Sequence, residues 1–313
     1  MQRSLFTPSL VALAALAVAS SAFGLAPTPA TVTGEHLVYL STPNMDYQVS
    51  DYGWSDAWLV PASNSYSAAH DVLSGDDAAN LHYTIGGVAK GGNGWLTHTL
   101  DDGTLQSSHS TGSPWTVVTP TSASSQDTGS AVSVIQQATD GIRITITTSV
   151  TGTTFRQTYD ILNVGTVPIT NILFADYLNF HPNGSATFAA ADQTVVQQLV
   201  TGAMYFTGSP TTTVSNGYLM GDSFPNLSTI GAQSSVVTTV QNGLASGYNG
   251  AAGPAGPADE AAAIGYTFAS LSPGQDVVFA INKGLGTPPV PEPASLCLLA
   301  IGCIGLLRRK AAR

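Results

Sequence analysis

Apolar and polar residues alternate with a period of two through the middle of the chain. Within residues 141–150, three isoleucines occupy every second position, with Arg and Thr between them. Residues 155–161 repeat the pattern, and Gly152 and the Asn-Val-Gly segment at 163–165 mark turns after the two stretches. Strict alternation is typical of a strand that turns one face toward a core. We therefore predict that these two strands and a third at residues 169–177 form a meander.

Further stretches with the same signal recur at a spacing of about 10 residues, which is typical of a sandwich or barrel. No stretch shows sustained helical periodicity, and no self-similarity of about 40 residues indicates propeller blades. The sequence therefore predicts an all-β fold, an antiparallel β-sandwich. The further strands are expected at residues 35–40, 81–85, 115–119, 130–137, 194–201, 211–220, 234–241, 263–269 and 275–281.

Several segments are predicted as turns or loops. Gly86-Gly87 indicates a hairpin or a wide loop, and Ser272-Pro273-Gly274 indicates a turn before the last strand. Residues 247–257 contain collagen-like triplets that are too few to hold a triple helix, so we expect a flexible loop there. The pattern Y-x-I-x-N-x-G followed by P-I-x-N, at residues 159–171, resembles the strand-turn-strand sequences of many bacterial surface β-sandwiches.

The charge balance excludes some classes of function. The 313 residues include 9 Lys+Arg and 19 Asp+Glu, and 43 % of the chain is hydrophobic, so it can bury a core. A nucleic-acid binder needs clustered cations, which are missing here. Residues 25–290 hold 18 acids, 16 of them Asp, and four cations, a net charge of −14 that predicts a solvated acidic surface. The four cations are Lys90, Arg143, Arg156 and Lys283.

The N-terminal segment has the order of features of a secretory signal peptide. Arg3 precedes an apolar run at residues 10–19, which is too short to span a bilayer at about 20 residues. Small residues follow, and cleavage is expected after Gly24 or Ala22. We predict that residues 1–24 form a signal helix outside the fold; a retained anchor or a buried helix is the alternative.

The C-terminal segment is the most specific motif in the chain. Pro291-Glu292-Pro293 is followed by an apolar stretch at residues 294–307 and then by Arg308-Arg309-Lys310. Proline keeps the first part extended, and the 14 apolar residues would form a helix of about 21 Å, short for a hydrocarbon core of about 30 Å. The positive-inside rule keeps the basic cluster in the cytoplasm and the domain outside it. The alternative is a permanent anchor.

This order of tripeptide, short apolar helix and basic end resembles the PEP-CTERM sorting signal of Gram-negative bacteria. The resemblance covers residues 288–313 and says nothing of residues 25–287. It implies transient insertion in the inner membrane and processing near the tripeptide by exosortase, a transpeptidase-like membrane enzyme. It also implies an association with exopolysaccharide and biofilm. The implied sorting-signal residues are Pro291, Glu292, Pro293, Arg308, Arg309 and Lys310.

These features divide the chain into four parts. A signal peptide at residues 1–24 precedes an exported sandwich domain at residues 25–284. A Pro-rich linker at residues 285–293 then leads to the membrane helix and basic tail at residues 294–313. Both cysteines, Cys297 and Cys303, lie in the membrane segment, so the exported domain has no disulfide and depends on its core for stability.

Candidate chemistry is sparse, and we predict no catalytic residue and no cofactor. Of the six histidines, three could converge from neighbouring strands, but a non-metal role is favoured because a metal site needs three or four placed ligands. Gly221-Asp222-Ser223 is similar to the nucleophile block of a lipase-like family, but a turn explains it better because no base is in reach. Ca²⁺ is the one metal left open. The three histidines are His82, His98 and His109, and the candidate Ca²⁺ ligands are Asp76, Asp77, Asp101 and Asp102.

Aromatic residues concentrate in the first third of the chain, where they would stack on sugar rings or pack in the core. Core packing is the simpler account. We therefore predict a non-catalytic, exported protein of the cell surface or extracellular matrix, with a carbohydrate-binding module or a secreted carbohydrate-active enzyme as the alternative. The aromatic residues are Tyr47, Tyr52, Trp54, Trp58, Tyr66, Trp95 and Trp115.

Overall fold

The computed structural model describes residues 37–42, 45–53, 55–59, 71–91, 115–119, 130–179, 193–197, 204–208, 216–222, 225–243, 248, 255–258 and 260–285. These parts of the chain form strands with one helix. The elements are β1 (Leu37–Ser41), β2 (Met45–Ser50), β3 (Ser55–Leu59), β4 (Asp71–Ile85), β5 (Val88–Lys90), β6 (Trp115–Thr119), β7 (Ser130–Gln137), β8 (Ile142–Thr151), β9 (Thr154–Asn163), β10 (Ile169–Asn179), β11 (Gln193–Gln197), β12 (Met204–Gly208), β13 (Asn216–Gly221), β14 (Leu227–Ala232), α1 (Gln233–Asn242), β15 (Ala255–Ala258), β16 (Glu260–Leu271) and β17 (Asp276–Leu285).

The strands form two antiparallel sheets that pack face to face. The first sheet has the order β1-β2-β3-β4-β10-β16-β14, with β5 paired to β4. The second sheet has the order β15-β11-β12-β13-β17-β9-β8-β7-β6. Aromatic rings fill the space between them: Phe174 of the first sheet lies 4.6 Å from Tyr159 and 4.8 Å from Phe279 of the second, measured between ring centroids. The predicted antiparallel sandwich is confirmed.

The period-two alternation sorts residues between the core and the outside as predicted. In β8 the buried positions include the three isoleucines, and in β9 they include Phe155, Tyr159 and Ile161. The bounds of β6 and β7 agree with the predicted strands. The turns at Gly86-Gly87, Gly152 and Gly274 all use positive φ, at 56° and 79°, 61° and 80° respectively, where glycine is favoured.

The predicted meander is wrong for its third strand. β8 pairs with β9, but β10 lies in the other sheet between β4 and β16. The chain crosses between the sheets after Asn163, whose buried side chain fixes the crossing. Its Nδ2 donates to the carbonyls of Val167 and Leu271, both at 2.9 Å, and its Oδ1 accepts from the Gly165 amide at 2.9 Å. The N-x-G pattern therefore marks a turn between sheets.

The strand predicted at residues 234–241 is also wrong, because this segment is the helix α1. Its β-branched residues favour a strand, but Val236 and Val240, four residues apart, are buried on the outer face of the first sheet beside Ala261 and Ala263. Burial of this stripe outweighs the local preference. Gly243, in the left-handed conformation, ends the helix.

No strand predicted from the sequence corresponds to β2, β3, β5, β12 or β14. The loop predicted at residues 247–257 is wrong for its last three residues, which belong to β15, the partner of β11. Within the described ranges no helix is long and apolar enough to cross a membrane. The predicted signal helix and the apolar segment at residues 294–307 lie outside those ranges.

Candidate functional site

Several polar clusters among the described residues contain one cation each. All four cations of the exported region contact an acceptor, and three of the acceptors are Asp carboxylates. The excess of acids is therefore offset at these points, although Asp140 and Asp176 are buried and do not belong to the predicted acidic surface. The pairs are Lys90 with Asp140, Arg143 with Gln136, Arg156 with Asp222, and Lys283 with Asp176.

The deepest cluster lies between the sheets. Lys283 Nζ is 2.9 Å from Asp176 Oδ1, and the two side chains are 1 % and 0 % exposed. Lys283 Nζ also donates to Gln157 Oε1 at 3.1 Å. Gln157 in turn accepts from the Tyr159 hydroxyl at 3.2 Å and donates to the Gly53 carbonyl. This network is enclosed by the core, so its charges are shielded from water.

A second cluster lies on the outer face of the second sheet, at the residue predicted as part of a turn. Asp222 follows β13 directly, and its carboxylate binds the Arg156 guanidinium through both oxygens, with 2.6 Å from Nη1 to Oδ1. Asn282 Nδ2 donates to the same Oδ1 at 2.7 Å. The hydrogen bond from Arg156 is the largest cause of the lowered pKa of Asp222, and the bond from Asn282 lowers it further. The carboxylate is thus used structurally, while Ser223 lies outside the described residues.

A groove of about 300 Å³ lies between the β7–β8 turn and the crossing from β9 to β10. Gln136, Asp140 and Thr166 are among its lining residues. Asp140 is buried and accepts from the Tyr83 hydroxyl at 2.6 Å, and Lys90 Nζ lies 3.7 Å from the same oxygen. The sequence around Asp140 carries no functional signal, because Thr-Asp-Gly after a strand is typical of an ordinary turn.

His82 is the one member of the candidate histidine group that the structure describes. Its Nε2 donates to the Val240 carbonyl in the last turn of α1, at 3.0 Å. Gly91 and Gly243 lie so close to the ring that neither position has room for a Cβ. Burial lowers the pKa of His82, which favours the neutral ring. His82 therefore joins β4 to the helix, while His98 and His109 lie outside the described residues.

The structure places three of the candidate aromatic residues. Tyr47, Tyr52 and Trp115 are all buried in the core, so they are not available to stack on a sugar. The side chains of the other four, and those of the four candidate Ca²⁺ ligands, lie outside what the structure describes. Among the described residues no three His, Cys, Asp or Glu are grouped to hold a metal ion.

The sorting segment leaves the domain from a fixed point. The Leu285 amide donates to the Thr153 carbonyl at 3.1 Å, and the Thr153 hydroxyl donates back to the Leu285 carbonyl at 3.2 Å. A Cβ on Gly284 would lie 2.4 Å from the Thr153 carbonyl oxygen and 2.9 Å from the Tyr218 hydroxyl, so only glycine fits. From Leu285 to Pro291 the chain spans at most about 21 Å when extended.

The six predicted sorting-signal residues lie outside the described part of the chain, but the comparisons with known proteins bear on their segment. Residues 289–311 match the family model of the PEP-CTERM protein-sorting motif. No curated protein matches the chain.

Two solved structures illustrate how distant the similar folds are. The first is a protein of Escherichia coli K12 assigned as an aldose 1-epimerase, with 11 % identity and a TM-score of 0.42, covering 82 % of this chain and 100 % of the other. The second is the 4-alpha-glucanotransferase of Thermococcus litoralis, with 9 % identity and a TM-score of 0.33, covering 84 % of this chain and 40 % of the other. Neither likeness is close enough to carry an argument. The motif at residues 289–311 identifies the chain as an exported protein that carries a PEP-CTERM sorting signal, the mark of an exosortase substrate.

Proposed function

We propose that the protein is a non-catalytic structural component of the cell surface or extracellular matrix, released by an exosortase-type enzyme and associated with exopolysaccharide. The observation that carries the proposal is the way in which the sorting segment joins the fold. It follows β17, which pairs with β13 on one side and with β9 on the other. A force applied to the sorting segment therefore acts on an inner strand of the sheet rather than on an edge strand.

The short linker supports the same function. Because at most about 21 Å separates Leu285 from Pro291, the folded domain lies close to the membrane while residues 294–307 are inserted. The basic cluster at Arg308-Arg309-Lys310 holds the other end in the cytoplasm. Cleavage near the tripeptide then frees a folded domain with a short Pro-rich end, which suits transfer to a surface or matrix.

The acidic side chains placed by the structure support a structural use. Asp140, Asp176 and Asp222 each contact a cation or hydroxyl of the fold. A glycoside hydrolase instead needs two carboxylates that flank a substrate bond. These three carboxylates thus serve to hold strands and turns together.

The sorting step is tested by replacing Pro291-Glu292-Pro293 with three alanines in the native host. We expect the wild-type protein to lose its apolar segment and leave the membrane fraction, and the triple variant to stay there as a larger species. Thr287→Ala/Pro288→Ala is the matched control, because it changes the same linker and leaves the tripeptide intact. Identical masses and membrane retention for all three forms would show an ordinary anchor.

Binding of carbohydrate is a second candidate function, favoured by the groove beside Asp140. Its volume of about 300 Å³ and its polar lining are suited to one sugar unit. Thr166→Trp adds a large ring to the lining of the groove, whereas Val118→Trp adds the same ring to an exposed site on β6. If the groove is a binding site, purified exopolysaccharide will bind wild type and Val118→Trp but not Thr166→Trp. Release of sugar would indicate an enzyme.

A further inference from the structure

Asp176 and Lys283 lie on the core-facing side of their strands, where the alternating pattern otherwise places apolar side chains. In β10 the neighbours on the same face are Phe174 and Leu178, and in β17 they are Ile281 and Leu285. All four contribute to the core between the sheets. The two charged side chains thus meet across the sandwich, one from each sheet, with Nζ and Oδ1 2.9 Å apart and no more than 1 % exposure.

Burial changes the chemistry available to this pair. An ammonium and a carboxylate removed from water are costly, and in a low-dielectric interior ionised groups tend to neutralise. Transfer of one proton from Lys283 Nζ to Asp176 gives a neutral amine beside a neutral carboxylic acid. The amine then has a free lone pair, and the acid has a hydroxyl that can leave as water. These are the two reactants of an amide condensation.

We propose that the side chains of Asp176 and Lys283 join through an intramolecular isopeptide bond. The Nζ lone pair attacks Asp176 Cγ and forms the N–C bond. A second proton passes from the nitrogen to the hydroxyl, the C–O bond breaks with its electron pair, and one water leaves. The product is a neutral secondary amide with one N–H. Nothing is oxidised or reduced, and no co-reactant is needed.

Gln157 acts as a positioning residue for this step. Its Oε1 accepts a hydrogen from Nζ at 3.1 Å, which orients the amine, and the Tyr159 hydroxyl and the Gly53 carbonyl hold the Gln157 amide in place. The same oxygen remains an acceptor for the single N–H of the product amide. Gln157 Oε1 therefore offers the nitrogen an acceptor both before and after the bond forms.

The bond would have a clear structural consequence. It would link the two sheets covalently through β10 and β17 and close the long chain segment between them, as a disulfide does elsewhere. Residues 25–290 contain no cysteine, so no disulfide can do this in the exported domain. The strand that carries the sorting segment would then be tied to the opposite sheet.

The test is the mass of the denatured full chain, with its termini located by peptide mapping. We expect the wild-type mass to be lower than that of its sequence by one water, about 18 Da, and a proteolytic digest to yield one species that joins the peptides containing Asp176 and Lys283. Lys283→Arg keeps the charge but cannot condense, so its mass will match its sequence. Lys90→Arg is the matched control and will keep the deficit.

The wild-type result decides the proposal even if Lys283→Arg does not fold. A wild-type mass equal to the sequence mass, with the two peptides recovered separately, would show an ion pair only. A deficit confined to a single peptide would mean that water was lost elsewhere. Gln157→Ala sharpens the test: when chain recovered unlinked from inclusion bodies is first folded, we expect slower gain of the linked species in the variant, whereas a purely structural Gln157 would leave that rate unchanged.

Discussion

Two neighbouring residues of β17 take part in two Asp–cation contacts. The two pairs have the same chemistry but differ in burial and in geometry. Lys283 points into the sandwich and meets Asp176, where both side chains are buried. Asn282 contacts the other pair, Arg156 with Asp222, whose side chains are 40 % and 42 % exposed. One strand therefore presents the same type of contact to the core and to water.

This difference shows that position, more than geometry, decides what a charge contact is worth. The outer pair has the better geometry, because two oxygens meet two guanidinium nitrogens. Exposed pairs nevertheless contribute only about 0–1 kcal/mol, since water and salt screen them. Removing one partner of a buried pair costs about 3–5 kcal/mol, because it leaves an uncompensated charge in the core. The free energy of unfolding lost on removing one partner should therefore increase with the burial of the contact.

The largest effect is expected at Lys283. Lys283→Met leaves the Asp176 carboxylate buried without its cation, so the free energy of unfolding should fall by about 3–5 kcal/mol, and further if the covalent bond is lost. Denaturant unfolding of the full chain measures this. The matched control is Arg156→Met on the outer pair. Equal losses of unfolding free energy for the two variants would contradict the claim that burial decides the value of the contact.

A second large effect is expected at Asn163, which is neutral but buried. Asn163→Ala removes three hydrogen bonds to backbone groups at the crossing, each with a net value of about 1 kcal/mol, so we expect a loss of about 2–4 kcal/mol. Asn171→Gly is the control, because Asn171 is exposed and its φ of 49° suits glycine. A loss at Asn171 as large as that at Asn163 would contradict the account.

The alternation predicted the sandwich well, because burial of one face fixes the register of a strand. It could not predict α1, whose β-branched residues resemble a strand until the outer face of the first sheet is present to bury Val236 and Val240. It also could not predict that the chain crosses to the other sheet after Asn163. The crossing depends on packing of Gly165 against Gly141, and these two residues are distant in sequence.

The sequence does carry a signal for the buried pair. Asp176 alternates with Phe174 and Leu178, and Lys283 with Ile281 and Leu285, so each charge lies on the apolar register of its strand. A charged residue in that register indicates either a buried partner or a wrong register. The groove beside Asp140 carries no such signal, because it is formed by two turns that are far apart in the chain.

An intermediate effect is expected at His82, which is partly buried. Its pKa is lowered by burial, so the unfolded chain binds the proton more tightly and stability should fall as the pH drops below about 6.5. His82→Gln keeps a donor toward the Val240 carbonyl and removes the titration. Thermal midpoints measured across this pH range should therefore vary less in the variant, and an unchanged pH dependence would rule out this role for His82.

The smallest effect is expected at the outer pair. Arg156→Met should lower the free energy of unfolding by about 1 kcal/mol or less, and added salt should shrink the difference. Because the pKa of Asp222 is lowered, its contribution is present at neutral pH and is lost as the pH falls through the folded-state value. A loss of several kcal/mol that does not depend on salt would show that exposure does not govern these pairs.

The most direct test of the whole account is the intact mass of the wild-type protein isolated from its native host, because the central claim is that this sandwich is exported and sorted by its C-terminal motif. We predict one mature species that begins after Gly24 or Ala22 and ends near Pro291-Glu292-Pro293, before the apolar segment. A mass that still includes residues 294–313 would contradict the account and identify the segment as a permanent anchor.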